Sequence, residues 1–191
     1  MALTPSTMLA LGTPAPDFSL PEPATGEIRS LREFSGRPLL VAFICNHCPY
    51  VKHIADGFAA FARDYQSKGL AVVAISANDP AHRAEDGPDA MAEAVRSADI
   101  PYPYLFDESQ AVAKAYRAAC TPDFFLFDAA HHLVYRGQFD GSRPGNEVPV
   151  TGADMRAAAE AVLNGETIEG EQLPSIGCNI KWKPGNEPDY S

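Results

Sequence analysis

The stretch Val41-Ala-Phe-Ile-Cys45-Asn-His-Cys48-Pro49-Tyr decides how this chain is read. The apolar run from Pro38 to Ile44 predicts a strand covered on both faces. It ends in a Cys-x-x-Cys. Helical spacing follows from Pro49 to Lys68, with Val51, Ile54, Phe58, Phe61 and Tyr65 recurring at threes and fours, and Gly69 closes it. Two thiols at this spacing can close a small ring. The unpaired N–H groups of a helix N-terminus stabilise the thiolate that such chemistry needs.

Outward from that stretch, the pattern alternates. On the N-terminal side, residues 1–15 read as an extended arm. Phe18-Ser-Leu-Pro and Gly26-Glu-Ile-Arg follow as a short hairpin, then a turn over Leu31–Phe34. On the C-terminal side, 70–76 is a second buried strand, followed by a polar loop holding Asn78, Asp79 and Glu85-Asp-Gly-Pro. A helix over 88–98 starts with proline in its first turn. Then come a strand over 104–106 and a helix over 109–118 with Ser109 as its cap. Phe124–Phe127 and Leu133–Gly137 form an antiparallel pair, and Thr151 caps a last helix through Leu163. From Gly165 the chain reads as irregular. Strands alternating with helices predict an α/β fold, a central mixed sheet flanked by helices. We expect a single domain over 1–191, with its core over about 12–165. The C-terminal extension 166–191 carries Ile176, Ile180 and Trp182, which dock it on the body. Strand, Cys-x-x-Cys and helix within such a pattern indicate a thioredoxin-like fold.

Composition sets outer bounds. The 191 residues are 46% hydrophobic and 21% charged, with a formal net charge of −10. That charge argues against nucleic acid or an anionic membrane as partner. No apolar run approaches the roughly 20 residues that span a bilayer. The first twelve residues lack a basic n-region, so no signal peptide is expected and the cytoplasm is the expected location. Thiols are kept reduced there, and the four cysteines are expected to be reactive or buried rather than a structural disulfide framework.

With Cys45 at the strand end and Cys48 in the first helical turn, the first sulfur is expected to be exposed and to attack, and the second to resolve the mixed disulfide. Pro49 is tolerated because a first-turn residue needs no i−4 partner. A cationic His47 would stabilise a thiolate and make the disulfide a stronger oxidant; the competing reading is a solvent-exposed loop histidine. The rival to a redox dithiol is a zinc site on Cys45, His47, Cys48 and His53. Structural zinc usually needs a second clustered pair, and Cys120 and Cys178 are isolated, so we expect no metal.

Cys45-Asn46-His47-Cys48-Pro49-Tyr-Val51, Thr121-Pro122-Asp-Phe-Phe-Leu-Phe-Asp128, Tyr135-Arg-Gly-Gln-Phe-Asp-Gly-Ser-Arg-Pro144 and Pro174-Ser-Ile-Gly-Cys-Asn-Ile-Lys-Trp-Lys183 resemble the peroxiredoxin-like, AhpC/TSA-type group of the thioredoxin superfamily. So does the opening 12–20, and the resemblance covers nearly the whole chain. It implies that Thr121-Pro122 is a loop facing the dithiol, with Pro122 cis and the preceding backbone left to pair with a substrate chain. It also makes Asn46, His47, Pro49, Thr121 and Pro122 the residues that tune the dithiol or shape its groove. The sequence departs from the peroxiredoxin Pro-x-x-x-Thr-x-x-Cys signature. Measured to Cys45, the threonine position is Ala42; measured to Cys48, the threonine and proline positions are Cys45 and Val41. The peroxide-binding arginine of that family would precede Phe124, where this chain has Thr121-Pro122. The buried acid of thioredoxins, six residues before the first cysteine, is Leu39 here. Asp79, His53 or water are left as candidate bases.

Cys120, beside Thr121, is a candidate third redox cysteine or a small buried residue. Cys178 could cover the site, bond to Cys120 or anchor the tail. Lys52 could lend positive potential to the thiolates, and Arg143 could tie the tail to the body. The expected function is thiol–disulfide exchange with a disulfide-containing protein or small thiol compound. It would need no cofactor and would be regenerated by a reductant such as thioredoxin or glutathione. Two alternatives stand beside it: a thiol peroxidase, in which a cysteine sulfenic acid condenses with its neighbour, and a non-enzymatic redox-sensing module.

Overall fold

The computed structural model describes residues 3–190. The elements in chain order are β1 (Leu3–Pro5), β2 (Ser19–Glu22), β3 (Glu27–Ser30), β4 (Leu39–Phe43), α1 (Pro49–Gln66), β5 (Ala71–Ser76), α2 (Pro88–Ser97), β6 (Tyr104–Phe106), α3 (Ala111–Ala115), β7 (Cys120–Thr121), β8 (Asp123–Phe127), β9 (Leu133–Tyr135), α4 (Ala153–Leu163) and β10 (Ile176–Asn179). The central sheet runs β6-β5-β4-β8-β9, with β4, β5 and β6 parallel and β8 and β9 antiparallel. It is a mixed sheet flanked by helices, the thioredoxin-like arrangement expected.

Strand β4 shows why the sheet sits where it does. All five of its residues are buried, and the period of two sends them to opposite faces. Leu40 and Ala42 join Phe58, Phe61 and Met155, from α1 and α4, in one apolar layer. Leu39, Val41 and Phe43 join Val112, Tyr116 and Trp182 in the other. A strand buried twice over needs no polar residue, which is the composition of this run. Helix α1 therefore begins just after the C-terminal end of a central, fully buried strand, with Cys48 as its cap residue.

Three expectations are corrected. Helix α3 covers five residues rather than 109–118. Ser109 Oγ does accept the Ala111 N–H, but Gln110 at the cap adopts a left-handed φ of 63°, and Arg117 turns left-handed after the helix. The α4 cap position is Gly152 rather than Thr151. The Gly152 and Thr151 N–H groups go to the Asp140 carboxylate, and a Cβ on Gly152 would meet the Phe139 ring at 2.5 Å. The tail is not irregular throughout: β10 is a strand, the centre of a second sheet ordered β1-β10-β7.

Strand β10 is docked at several points. Its register sets Cys178 opposite Thr121 and Asn179 opposite Cys120. Gly177 lies so close to β7 that a Cβ there would stand 2.0 Å from the Thr121 carbonyl oxygen. Ser175 Oγ donates to the Pro122 carbonyl at 2.7 Å, and beyond the strand the Lys181 N–H donates to Asn78 Oδ1 at 2.8 Å. Ile180 and Trp182 are buried in the layer under β4.

Candidate active site

Cys48 is the cap residue of α1, with extended backbone, and Pro49 occupies the first turn without needing a partner for a missing N–H. Cys45 lies just beyond the end of β4. Against expectation, Cys45 is buried as fully as Cys48, at 1% and 0% exposed. The cover comes from the loop before β8 and from the tail strand. The Thr121–Pro122 peptide is cis, as the resemblance implied. Thr121 Oγ1 stands 3.3 Å from Cys45 Sγ, and its carbonyl oxygen stands 3.2 Å from Cys48 Sγ. Cys178 presents its sulfur 2.9 Å from that of Cys48. The edge of Thr121, which the resemblance leaves open to a substrate chain, is occupied by β10.

Beside Cys45, a cavity of about 420 Å³ lies between α1 and α2, lined by Cys45, Val51, Ala55, Ala94, Tyr102 and Tyr104 among others. Cys45 borders it and Cys48 does not. The two cysteines thus differ in access even though neither is exposed.

Their charge states differ as well. The Cys48 thiol is pulled down to about 4. The hydrogen bond from Cys45 does most of this; the Cys178 thiol and the backbone N–H groups of Val51 and Cys178 add to it, against the opposing effect of burial. Cys45 is pushed far above the usual cysteine range, first by that same hydrogen bond, then by burial and by the negative charge of Asp86. The two sulfurs are shifted in opposite directions, Cys48 toward the thiolate and Cys45 toward the thiol.

A pH prediction follows. In the reduced protein, thiolate absorbance near 240 nm is expected to titrate with one midpoint near pH 4, and that transition is expected to vanish in Cys48→Ser. Between about pH 4 and the ordinary value of 9.0 the unfolded chain carries a Cys48 proton that the native protein lacks, so this cysteine adds stability as pH rises. That contribution is full above pH 9 and is lost as pH falls to about 4. A first thiolate midpoint at pH 8–9 contradicts this arrangement.

His47 is not a solvent-exposed loop residue: its side chain is 5% exposed. Its Nδ1 donates to Asp86 Oδ2 at 2.5 Å and stands 3.7 Å from Cys45 Sγ. Asp86 is fully buried, and it also accepts from the Asn46 and His47 N–H groups and from Asn78 Nδ2. Asn46 extends its amide to the Glu85 carbonyl at 2.7 Å, so the Cys-x-x-Cys loop is stitched to the loop before α2. Asp86 is the buried carboxylate of this site, and sequence reasoning missed it. Asp79 accepts locally from the Ala81 N–H, and His53 meets Ser142 Oγ at 2.7 Å. The one signal was the Asp86-Gly-Pro sequence opening a predicted helix close after the second buried strand.

Asp123 and Arg136 were also missed. Arg136 is the one buried arginine among the described residues, and it binds the Asp123 carboxylate with both terminal nitrogens. It lies over the Phe125 ring at 3.8 Å and is committed to Asp123, the residue after Pro122. Arg143 bonds to Asp140, Ser142 and Gln138 within its own turn rather than to the tail. Cys120 is buried, its sulfur 3.5 Å from the Pro122 carbonyl and its thiol pushed well up by burial; it opposes Asn179 rather than Cys178.

Donor atoms of Cys45, His47 and Asp86 lie within 4.8 Å of one another and could hold a metal ion. His53 is not part of this group. The short His47–Asp86 contact engages two of the three donors with each other, and the third, Cys45 Sγ, stands 3.3 Å from Thr121 Oγ1.

Comparisons with known proteins agree with this architecture. A structure of an uncharacterized conserved protein from Geobacillus kaustophilus is 47% identical, covering 97% of this chain and 98% of its own, with a TM-score of 0.95. A hypothetical protein from Sinorhizobium meliloti 1021 is 53% identical over 95% of this chain and 100% of its own, at a TM-score of 0.93. A secreted Mycobacterium tuberculosis disulfide oxidoreductase shares the fold alone, at 14% identity and a TM-score of 0.58 over 75% of this chain and 95% of its own. No curated protein matches. The AhpC/TSA family model matches residues 11–136, which carry the sheet, Cys45, Cys48 and the cis Pro122; the chain belongs to the AhpC/TSA family, among the peroxiredoxin-like members of the thioredoxin superfamily.

Proposed function

We propose that this protein is a thiol–disulfide oxidoreductase in which Cys45 attacks and Cys48 resolves. The observation that carries this reading is the Cys-x-x-Cys at the N-terminus of α1, with Cys45 bordering the cavity and the cis Thr121–Pro122 loop lying against both sulfurs. Cys45 borders the cavity and meets the substrate disulfide R–S–S–R′. As it attacks, its proton passes to the Cys48 thiolate, which can then donate to the Thr121 carbonyl 3.2 Å away. A Cys45–S–S–R bond forms and R′–S⁻ leaves, taking the proton from Cys48. The Cys48 thiolate then attacks the Cys45 sulfur, expels R–S⁻ and closes the Cys45–Cys48 disulfide. The substrate gains two electrons and the dithiol loses them. Such a cycle needs no bound cofactor. Thioredoxin or glutathione in a reducing cytoplasm would restore the dithiol.

Because β10 covers the Thr121 edge, an extended peptide cannot pair there without displacing the tail. The cavity between α1 and α2 is the remaining approach to Cys45, and it suits a small apolar disulfide or a single cysteine side chain on a flexible segment. The test is steady-state reduction of small disulfides and of insulin, with dithiothreitol as electron source. Turnover that is lost in Cys45→Ser supports the reading. Stoichiometric zinc in the purified protein overturns it.

Membership of the AhpC/TSA family favours a second reading, a thiol peroxidase. Among the described residues, the buried guanidinium is spent on Asp123 rather than on the sulfurs, which leaves peroxide without the cation that family uses. Rapid hydroperoxide consumption without disulfide turnover would reverse the ranking.

A further inference from the structure

We propose that β10 is a built-in substrate strand whose Cys178 takes Cys48 over from Cys45, so that the oxidised protein rests as a Cys48–Cys178 disulfide with Cys45 returned to a thiol. This rests on the thiol–disulfide reading above and adds the internal step that follows it.

Three sulfurs form one cluster under the helix N-terminus: Cys45, Cys48 and Cys178. Cys48 is the sulfur the other two share: it stands 2.9 Å from Cys178 Sγ and is linked to Cys45 through the Cys-x-x-Cys turn. The 2.9 Å between Cys48 and Cys178 is about 0.9 Å more than a disulfide bond, a gap that side-chain rotation spans. The approach is enforced rather than incidental. Strand addition next to a recognition loop is a common way for a protein to hold an extended substrate. Here the chain's own strand fills that position, with Cys178 opposite Thr121 and held on both sides by β1 and β7. The absence of a side chain at Gly177 lets the strand press against the Thr121 carbonyl. Ser175, Lys181 and Trp182 fix it before and after the cysteine.

The step balances without an external oxidant. The Cys178 sulfur attacks Cys48 within the Cys45–Cys48 disulfide. The Cys48–Cys178 bond forms, the Cys45–Cys48 bond breaks, and the proton lost by Cys178 ends on Cys45, so no net oxidation occurs. In the reduced protein the Cys178 thiol is held up at about 12, by burial first and then by Cys48. Once Cys48 is bound in a disulfide it no longer carries the charge that opposes ionisation of Cys178, and attack becomes easier. Cys45 is thereby released beside its cavity while the protein stays oxidised.

The experiment uses the full chain, reduced and then oxidised with oxidised glutathione, quenched in acid, alkylated, digested with trypsin and mapped by mass spectrometry with fragmentation. The expected product joins the peptide holding Cys48 to that holding Cys178, leaves Cys45 alkylated, and exceeds the Cys45–Cys48 product at least tenfold. In Cys178→Ser the disulfide reverts to Cys45–Cys48. Losing a tenfold preference for the oxidised form raises the midpoint potential by about 30 mV; circular dichroism of this variant checks that it folds. A Cys45–Cys48 disulfide as the sole product, with Cys178 alkylated, overturns the inference and leaves the oxidoreductase reading standing. A chain that forms no intramolecular disulfide overturns both.

Discussion

Disulfide turnover is expected to fall on the order of 10⁴-fold in Cys45→Ser, because a hydroxyl replaces the one sulfur that borders the cavity. The remaining thiolate, on Cys48, is fully buried beneath Thr121 and Cys178 and does not substitute for it. The fold is expected to survive, since Ser is nearly isosteric and Thr121 Oγ1 stands ready as a hydrogen-bond partner 3.3 Å from the replaced atom. The measurement is the rate with a small disulfide under saturating reductant, alongside thermal unfolding. A Cys45→Ser protein that keeps wild-type turnover contradicts the assignment of the attacking sulfur.

The largest expected loss of stability comes from Arg136→Met. The Asp123 carboxylate is fully buried. It is held by the Arg136 guanidinium, by Ser6 Oγ at 2.7 Å and by the Ala119 N–H at 3.1 Å. Methionine fills much of the volume but leaves the carboxylate without its counter-charge. Removing one partner of a buried ion pair costs about 3–5 kcal/mol. At the roughly 2–4 °C per kcal/mol expected for a chain of this size, the melting temperature falls on the order of 10 °C. The double variant Arg136→Met, Asp123→Leu removes the stranded charge and is expected to recover most of that loss. Equal melting temperatures for wild type and Arg136→Met would show that the pair contributes nothing. Asp123 directly follows Pro122, so the same substitution also tests how far the Thr121 loop depends on this anchor for its place over the sulfurs.

Much of the body was legible because local pattern and burial agree there. The run Leu39–Phe43 could only be a strand covered twice. The threes and fours from Val51 to Tyr65 could only be a helix, and the Cys-x-x-Cys between them fixed the site. What escaped was made by tertiary contact. Asp86 sits in a loop 38 residues beyond Cys48, and nothing local marks it as the partner of His47. Arg136 reads as hairpin continuation, since its pairing with Asp123 forms across the β8–β9 turn. The four residues of β10, Ile176-Gly-Cys-Asn, show no apolar alternation and contain two poor strand formers. They are a strand because β1 and β7 supply both edges, and Gly177 is there for closeness rather than for a turn. The exposure expected of Cys45 failed for the same reason: the cover over it belongs to segments remote in sequence.

The central claim is that Cys45 is the sulfur that meets the substrate. In Cys48→Ser the resolving thiol is gone, and Cys45 also loses the hydrogen bond that chiefly raises its pKa, so it remains able to attack. The direct test is the intact mass and peptide map of this variant after exposure to a small aromatic disulfide, with wild type beside it. The account predicts one stable adduct on Cys45 in the variant, and an intramolecular disulfide without adduct in the wild type. An adduct on Cys120 or Cys178 with Cys45 unmodified, or none at all, would contradict it.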